Sequence, residues 1–367
     1  MTIHDTSLKD YLGYGSLIGS GGMGRVYNTP NKFMAAKIIP LVKTTLHGPI
    51  TNVSCEYIRG DDLLTMWELG YAHEGKHKSL FIGIDKVYLG RIVGAFREIE
   101  VLMKSSENSY HCGGRLVGYR AHQVAIDEKG NLCMVVEMDK VVGRGLDSML
   151  DDVGLSYAVK LLGDICEAVE QFHELGYCHL DVKPENVIIG ENGPALIDYY
   201  TARPTKEVDK IYLEDVVMGD SAQHLEKDIF LGTLEYVAPE QARAKPTTNS
   251  DYYSVGLMAV EMLDKYPFER LRSNGWKTIE NFLYGHQLKP STASEVMARL
   301  QKSEVYGYMT RADQAHFESV VTSLLDISPE GRDINTLKRF VRYFESPVTK
   351  PKKKADAKRA ILEDIEC

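Results

Sequence analysis

Apolar positions along this chain follow two different spacings, and the change from one to the other divides it in two. Arg25-Val26-Tyr27 and Met34-Ala35-Ala36-Lys37-Ile38-Ile39 are short apolar-rich runs flanking Thr29-Pro30-Asn31. Short runs around a Pro/Asn turn predict two adjacent strands. Leu132-Cys133-Met134-Val135-Val136-Glu137-Met138-Asp139 is a continuous apolar stretch that ends in polar residues, the mark of a buried strand. From Tyr157-Ala158-Val159-Lys160-Leu161-Leu162 through Phe172-His173 the apolar residues recur at helical spacing. The same period returns in Leu257 to Leu263, Ala293 to Leu300, Phe317 to Leu325 and Ile334 to Phe344. Ile99, Leu102 and Met103 predict one helix among the early strands. The expected class is α+β, with a small β-rich part (residues 1–139) before a larger α-helical part (140–345).

Two polar features interrupt this pattern. Gly19-Ser20-Gly21-Gly22-Met23-Gly24-Arg25-Val26 spells G-x-G-x-x-G-x-V. Glycines let backbone N–H groups approach phosphates without a Cβ in the way. Alone this pattern is weak, because a plain hairpin or a dinucleotide fold carries similar letters. A dinucleotide loop needs a strand before the glycines and a helix after them. Here strands follow, which argues against that reading.

The second feature is His179-Leu180-Asp181-Val182-Lys183-Pro184-Glu185-Asn186, with Asp198 twelve residues beyond its last member. A carboxylate that can take a hydroxyl proton lies beside an ammonium that can neutralise a phosphoryl group. An amide and a second carboxylate supply hard oxygen ligands for magnesium. A charge-rich solvated turn is the bland alternative, and the full run is less common than its parts.

Together these motifs make the chain resemble the eukaryotic-like (Hanks-type) protein kinase family, serine/threonine branch, from about residue 12 to about residue 345. The resemblance implies a bilobal fold with nucleotide between the lobes. It implies that Lys37, in Met-Ala-Ala-Lys, pairs with ATP phosphates and is held by Glu98 of Phe96-Arg97-Glu98-Ile99, with Glu100 a rival for that role. Asp181 resembles the catalytic base and Lys183 the phosphate-neutralising lysine. Asn186 and Asp198 resemble the magnesium ligands. Gly19, Ser20, Gly21, Gly22 and Gly24 would line the phosphates, and Val26 and Ala35 would cover the adenine. The backbone of Glu137 and Asp139 would hydrogen-bond adenine, with Val136 as a small gatekeeper. Ala238-Pro239-Glu240 matches A-P-E, Asp251-Tyr252-Tyr253-Ser254-Val255-Gly256 resembles the start of a buried helix, and Arg332 resembles the ion-pair partner of Glu240. Thr233 resembles the threonine that contacts the catalytic Asp and Lys.

The chain departs from the family in several places. Leu180 stands where an arginine is usual, which removes one anchor for a phosphorylated activation segment. Asp198-Tyr199-Tyr200 replaces D-F-G, and Tyr200 cannot visit positive φ as glycine does. We therefore expect this segment to hold one active-like arrangement. Lys37 and Glu98 are 61 positions apart, too far for one loop, so an insertion is expected at about 43–92. It contains the apolar runs Leu63 to Leu69 and Leu80 to Ile84. Between Asp198 and Glu240, Thr201, Thr205, Ser221 and Thr233 are hydroxyl candidates, with all but Thr233 expected on the surface.

Composition sets bounds. A net charge of −9 argues against general attraction to nucleic acid. No run approaches a membrane span. The local exception is the tail, residues 346–367, where Lys350 to Arg359 is basic enough to contact an anion, although a solvated tail would look the same. The six cysteines lack metal-type spacing, which suits a reducing cytoplasm. Met1 to Asp5 shows no secretory start, so delivery into a host by a non-cleaved route stays open if the source is a pathogen. Three functions compete: a kinase acting on protein Ser/Thr with ATP and Mg2+, a nucleotide-binding pseudokinase or scaffold, and a small-molecule kinase. The A-P-E segment argues against the last.

Overall fold

The computed structural model describes residues 15–21, 24–42, 86–108, 114–126, 132–150, 152–205, 233, 236–242, 245–264, 292–302, 306–307 and 309–346. The runs Leu63 to Leu69 and Leu80 to Ile84, Gly22, Ser221 and the basic tail lie outside these residues.

The first lobe is a five-stranded sheet carrying one helix. Strands β1 (Leu17–Gly21), β2 (Gly24–Asn28), β3 (Met34–Val42), β4 (Tyr119–Ile126) and β5 (Leu132–Asp139) are ordered β1-β2-β3-β5-β4, all antiparallel. Helix α1 (Lys86–Asn108) packs on β3 and β4. It begins at Lys86, so residues 86–92, the end of the stretch expected as an insertion, are helical.

Strand alternation decides which side chains meet this helix. Ile39, Leu41, Met134 and Val136 join the main core with Ala95, Phe96, Ile99 and Leu102 of α1. Ala36, Cys133 and Val135 form a separate cluster on the other face, with Tyr27 and Ile38 against it. Lys37 is in step with Ile39 and Leu41, so it emerges on the face that α1 covers. Directly opposite Lys37 across the sheet are Val26 and Val136.

The second lobe is built on helix α2 (Leu155–Glu174), whose buried face runs Ala158, Val159, Leu161, Leu162, Ile165, Cys166, Ala168, Val169 and Phe172. That stripe is wide because the helix is covered on several sides, by α4 (Thr248–Asp264), α7 (Asn335–Glu345) and strand β9 (Gly193–Leu196). Gly176, at φ 88°, ends α2 with a left-handed residue, and its N–H donates to His173 O at 2.9 Å. The chain then enters β7 (Tyr177–Cys178), which pairs with β10 (Arg203–Pro204). Strands β6 (Gly143–Gly145), β8 (Val187–Gly190) and β9 form a small separate sheet. Helices α3 (Pro239–Ala242), α5 (Thr292–Leu300) and α6 (Arg311–Leu324) complete the lobe. Thr310 starts α6 with a reciprocal capping box to Asp313. Among the described residues, no helix is long and apolar enough to cross a membrane.

Candidate active site

The loop between β7 and β8 carries His179 to Asn186, and its shape is imposed from below by Asp251 in the first turn of α4. One Asp251 oxygen accepts the N–H of His179 at 2.8 Å and the other accepts the N–H of Leu180 at 2.7 Å. The His173 ring bonds the same carboxylate at 2.8 Å. Asp251 is fully buried, and satisfying these N–H groups offsets its loss of water. These bonds hold Leu180 at φ 65°, a conformation costly for a branched residue. Gln241 Nε2 adds a bond to Leu180 O at 2.7 Å. The Leu180 side chain is itself buried, so the position that usually bears an arginine here belongs to the core.

His179 is buried, and burial lowers its pKa despite nearby carboxylates. A neutral ring fits its two contacts, since Nε2 faces Ile197 O at 3.1 Å and Nδ1 accepts the Asp181 N–H at 3.3 Å. Its ring meets Tyr199 edge-on, and both rings pack on Phe172. The Tyr199 hydroxyl accepts the Val117 N–H at 2.7 Å and donates to Leu196 O at 2.8 Å. The tyrosine therefore fills a packing position and also spends its polar end on backbone.

Above this floor the charged groups converge. Lys37 Nζ lies 2.8 Å from each Glu98 oxygen and 2.7 Å from Asp198 Oδ1. Glu100 is not the partner; it bonds Arg97 at 2.9 Å and also accepts the Tyr177 hydroxyl. Lys183 Nζ sits 2.8 Å from Asp181 Oδ2 and 2.5 Å from Thr233 Oγ1, and Thr233 Oγ1 donates to Asp181 Oδ1 at 2.7 Å. Asn186 Nδ2 donates to Asp181 O and to Asp181 Oδ2, both at 2.9 Å.

Burial pushes Glu98 up to about 7, only partly countered by Lys37. Burial also opposes charge on Lys37, but Asp198 and Glu98 outweigh it and the ammonium is held well above its usual range. Asp198 is pushed up by burial and pulled further down by Lys37, and its pKa ends below the usual carboxylate value. The triplet's left-handed residue is Asp198 itself, at φ 64°, an easier burden for aspartate than for most residues. Tyr200 has no positive φ, and Asp198 faces Lys37 instead of turning away from it.

The donor set fits magnesium. Asn186 spends its N–H group on Asp181, which leaves its amide oxygen as an acceptor, and Asp198 offers a carboxylate. Among the described residues there is no cluster of three or more metal-type side chains. Magnesium needs only one or two protein oxygens when phosphates complete its shell.

Other expected positions vary. Gly19, Ser20, Gly21 and Gly24 sit at the β1–β2 end, and Val26 and Ala35 share the Lys37 face. Gly24 has a packing reason as well, because a Cβ there would come within 2.6 Å of Ile38 O. The Asp139 N–H already donates to Gly118 O at 2.9 Å, and Glu137 lies within β5 opposite Ala36. Thr201 is a correction: it is buried, and its hydroxyl donates to His179 O at 2.8 Å, so it is no surface hydroxyl.

Arg332 reaches Glu240 with both terminal nitrogens, at 2.6 and 2.8 Å, and both residues are buried. Residues 95–336, about two thirds of the chain, match the protein kinase domain. The chain belongs to the protein kinase domain family. It is similar to the probable serine/threonine-protein kinase PknB of Corynebacterium glutamicum, 31% identical over 150 residues, 39% of this chain and 21% of that one. It is also similar to serine/threonine-protein kinase PknD of Protochlamydia amoebophila, 37% over 114 residues, 29% of this chain and 11% of that one. Serine/threonine-protein kinase pkn2 of Myxococcus xanthus is 29% identical over 210 residues, 51% of this chain and 24% of that one. The chain thus spans a quarter or less of the length of these relatives.

The sequence left the scaffold roles of Asp251 and Gln241 unassigned. Both act on backbone more than 60 positions away, and no local pattern signals such a bond.

Proposed function

We propose that this protein transfers the γ-phosphoryl group of ATP to serine or threonine hydroxyls of proteins. The observation that carries the reading is the contact of Asp181 with both Lys183 and Thr233, set beside Lys37 between Glu98 and Asp198. A hydroxyl on Asp181 already stands where a base would orient it, next to an ammonium able to balance phosphoryl charge. Magnesium, held by Asn186 and Asp198, would supply charge neutralisation at the phosphates. Lys37 would hold phosphate oxygens. Gly19, Ser20, Gly21, Gly22 and Gly24 would cover the phosphates, while Val26, Ala35 and the backbone of Glu137 would receive the adenine. Asp139 enters that set only if its N–H leaves Gly118. The named serine/threonine kinases among the relatives support the same substrate class.

The test is labelling with γ-labelled ATP and magnesium, using a generic Ser/Thr protein as acceptor. We expect transfer by the wild type and none by Asp198→Asn. ATP binding without transfer would replace this reading with a pseudokinase. Transfer confined to metabolites would make it a small-molecule kinase.

A further inference from the structure

Helix α1 has a glycine at position 94, four residues before Glu98 and so on the same side of the helix, one turn earlier. Glycine inside a helix costs stability relative to alanine, so its presence asks for a reason. The reason is Tyr200. A Cβ built on Gly94 would lie 2.3 Å from Tyr200 Cζ and 2.6 Å from both Cε atoms. The ring is buried against the bare helix backbone, in space that any larger residue at 94 would take.

Tyr200 follows Tyr199, whose position is fixed by its hydroxyl bonds to Val117 N–H and Leu196 O. The Tyr199 backbone N–H also bonds the Glu98 carboxylate. Two consecutive residues of the Asp198-Tyr199-Tyr200 triplet therefore grip two consecutive turns of α1. One grip is polar and bears on Glu98 directly. The other is steric and bears on Gly94.

We propose that Tyr200 is a positioning residue: its ring, seated on Gly94, holds α1 at the height and rotation at which Glu98 reaches Lys37. The substitution of the triplet's usual glycine thus couples the loop after β9 to the helix, and Gly94 is its matched partner. The inference rests on the kinase reading of the site only for its catalytic readout.

The test is a double-mutant cycle of Gly94→Ala and Tyr200→Gly, with Tyr200→Phe as the conservative variant, because phenylalanine keeps the ring atoms that touch Gly94. Two readouts are taken. One is steady-state kinetics with ATP and a protein acceptor. The other is amide hydrogen exchange over residues 94–105, with residues 158–172 of α2 as the internal reference.

Tyr200→Gly should lower kcat about tenfold or more while leaving KM for ATP within about threefold, since the lost contact orders the reacting groups and does not itself bind nucleotide. It should speed exchange in 94–105 by about tenfold and leave 158–172 unchanged, a local loosening. Tyr200→Phe should keep more of kcat and more of the protection of 94–105 than Tyr200→Gly does. Gly94→Ala should reduce kcat in the wild-type background and cause no further loss beside Tyr200→Gly, because contacting pairs are not additive.

Additive losses would overturn the proposal. So would wild-type kcat and wild-type protection of 94–105 in Tyr200→Gly, or equal loosening of 158–172. A wild type that transfers no phosphate would sink the kinase reading alone, and the exchange data would still decide the role of Tyr200.

Discussion

Lys37 holds Glu98 and Asp198 at once, with its ammonium 2.8 Å from the first and 2.7 Å from the second. One cation thereby joins β3, α1 and the loop that follows β9. Lys37 and Glu98 are buried, so removing one group leaves charge without water to replace the partner.

Lys37→Met should lower kcat/KM by about 10²–10³-fold, the usual size of losing one preorganised charge donor. Glu98→Gln should fall less, because the amide still accepts a hydrogen bond. Steady-state phosphoryl transfer at fixed magnesium measures both.

The pH profile should carry an acid limb near pH 7. Burial raises Glu98 to about 7, so lowering the pH through that value protonates it and removes its charge from Lys37. Activity should rise with pH through the limb, and Glu98→Gln should lack it. An unchanged limb in that variant would assign the titration elsewhere.

The buried Arg332–Glu240 pair should be stabilising only as a pair. Arg332→Ala strands the Glu240 carboxylate, which is also bonded by Ser250 at 2.6 Å, and should cost about 3–5 kcal/mol. Replacing both residues with apolar ones should recover part of that loss. Urea denaturation midpoints compare the three proteins.

Asp251→Ala should loosen the loop that carries Asp181 as well as the fold. It orphans the buried N–H groups of His179 and Leu180, each costing about 1–3 kcal/mol. Leu180 should then leave its left-handed conformation, and kcat should fall together with the melting temperature.

Gly256→Ala tests helix crossing. A Cβ at 256 would meet Leu324 Cβ at 2.8 Å and Leu325 Cδ2 at 3.0 Å, where α4 approaches the end of α6. Alanine is the better helix former, yet the overpacking should destabilise by about 1–3 kcal/mol. A variant more stable than wild type would show that the crossing can widen freely.

The motifs between Gly19 and Arg332 could be found in the sequence because each is a local run whose residues must share a loop or strand to work. Glu98 was separable from Glu100 because it fits the family's R-E-I run and has Ile99, Leu102 and Met103 beside it, of which Ile99 and Leu102 are buried and Met103 is exposed. Of the helix from Thr248 to Asp264, the stretch Leu257 to Leu263 was legible from its period, and the strands around Lys37 were legible as short apolar runs flanking a turn. Thr201 was misjudged because a hydroxyl in a polar-looking run carries no mark of the carbonyl that will bury it.

By itself, the sequence determined which residues are chemically able to handle a phosphate and a hydroxyl, and which segments alternate at strand or helix spacing. These follow from side-chain identity and the fixed geometry of the backbone. The tertiary structure alone decided that Asp251 shapes the loop of Asp181, that Tyr200 rests on Gly94, and that Leu180 is core. Those facts depend on packing between segments dozens of residues apart, where burial sets the value of a contact and no local spacing encodes it.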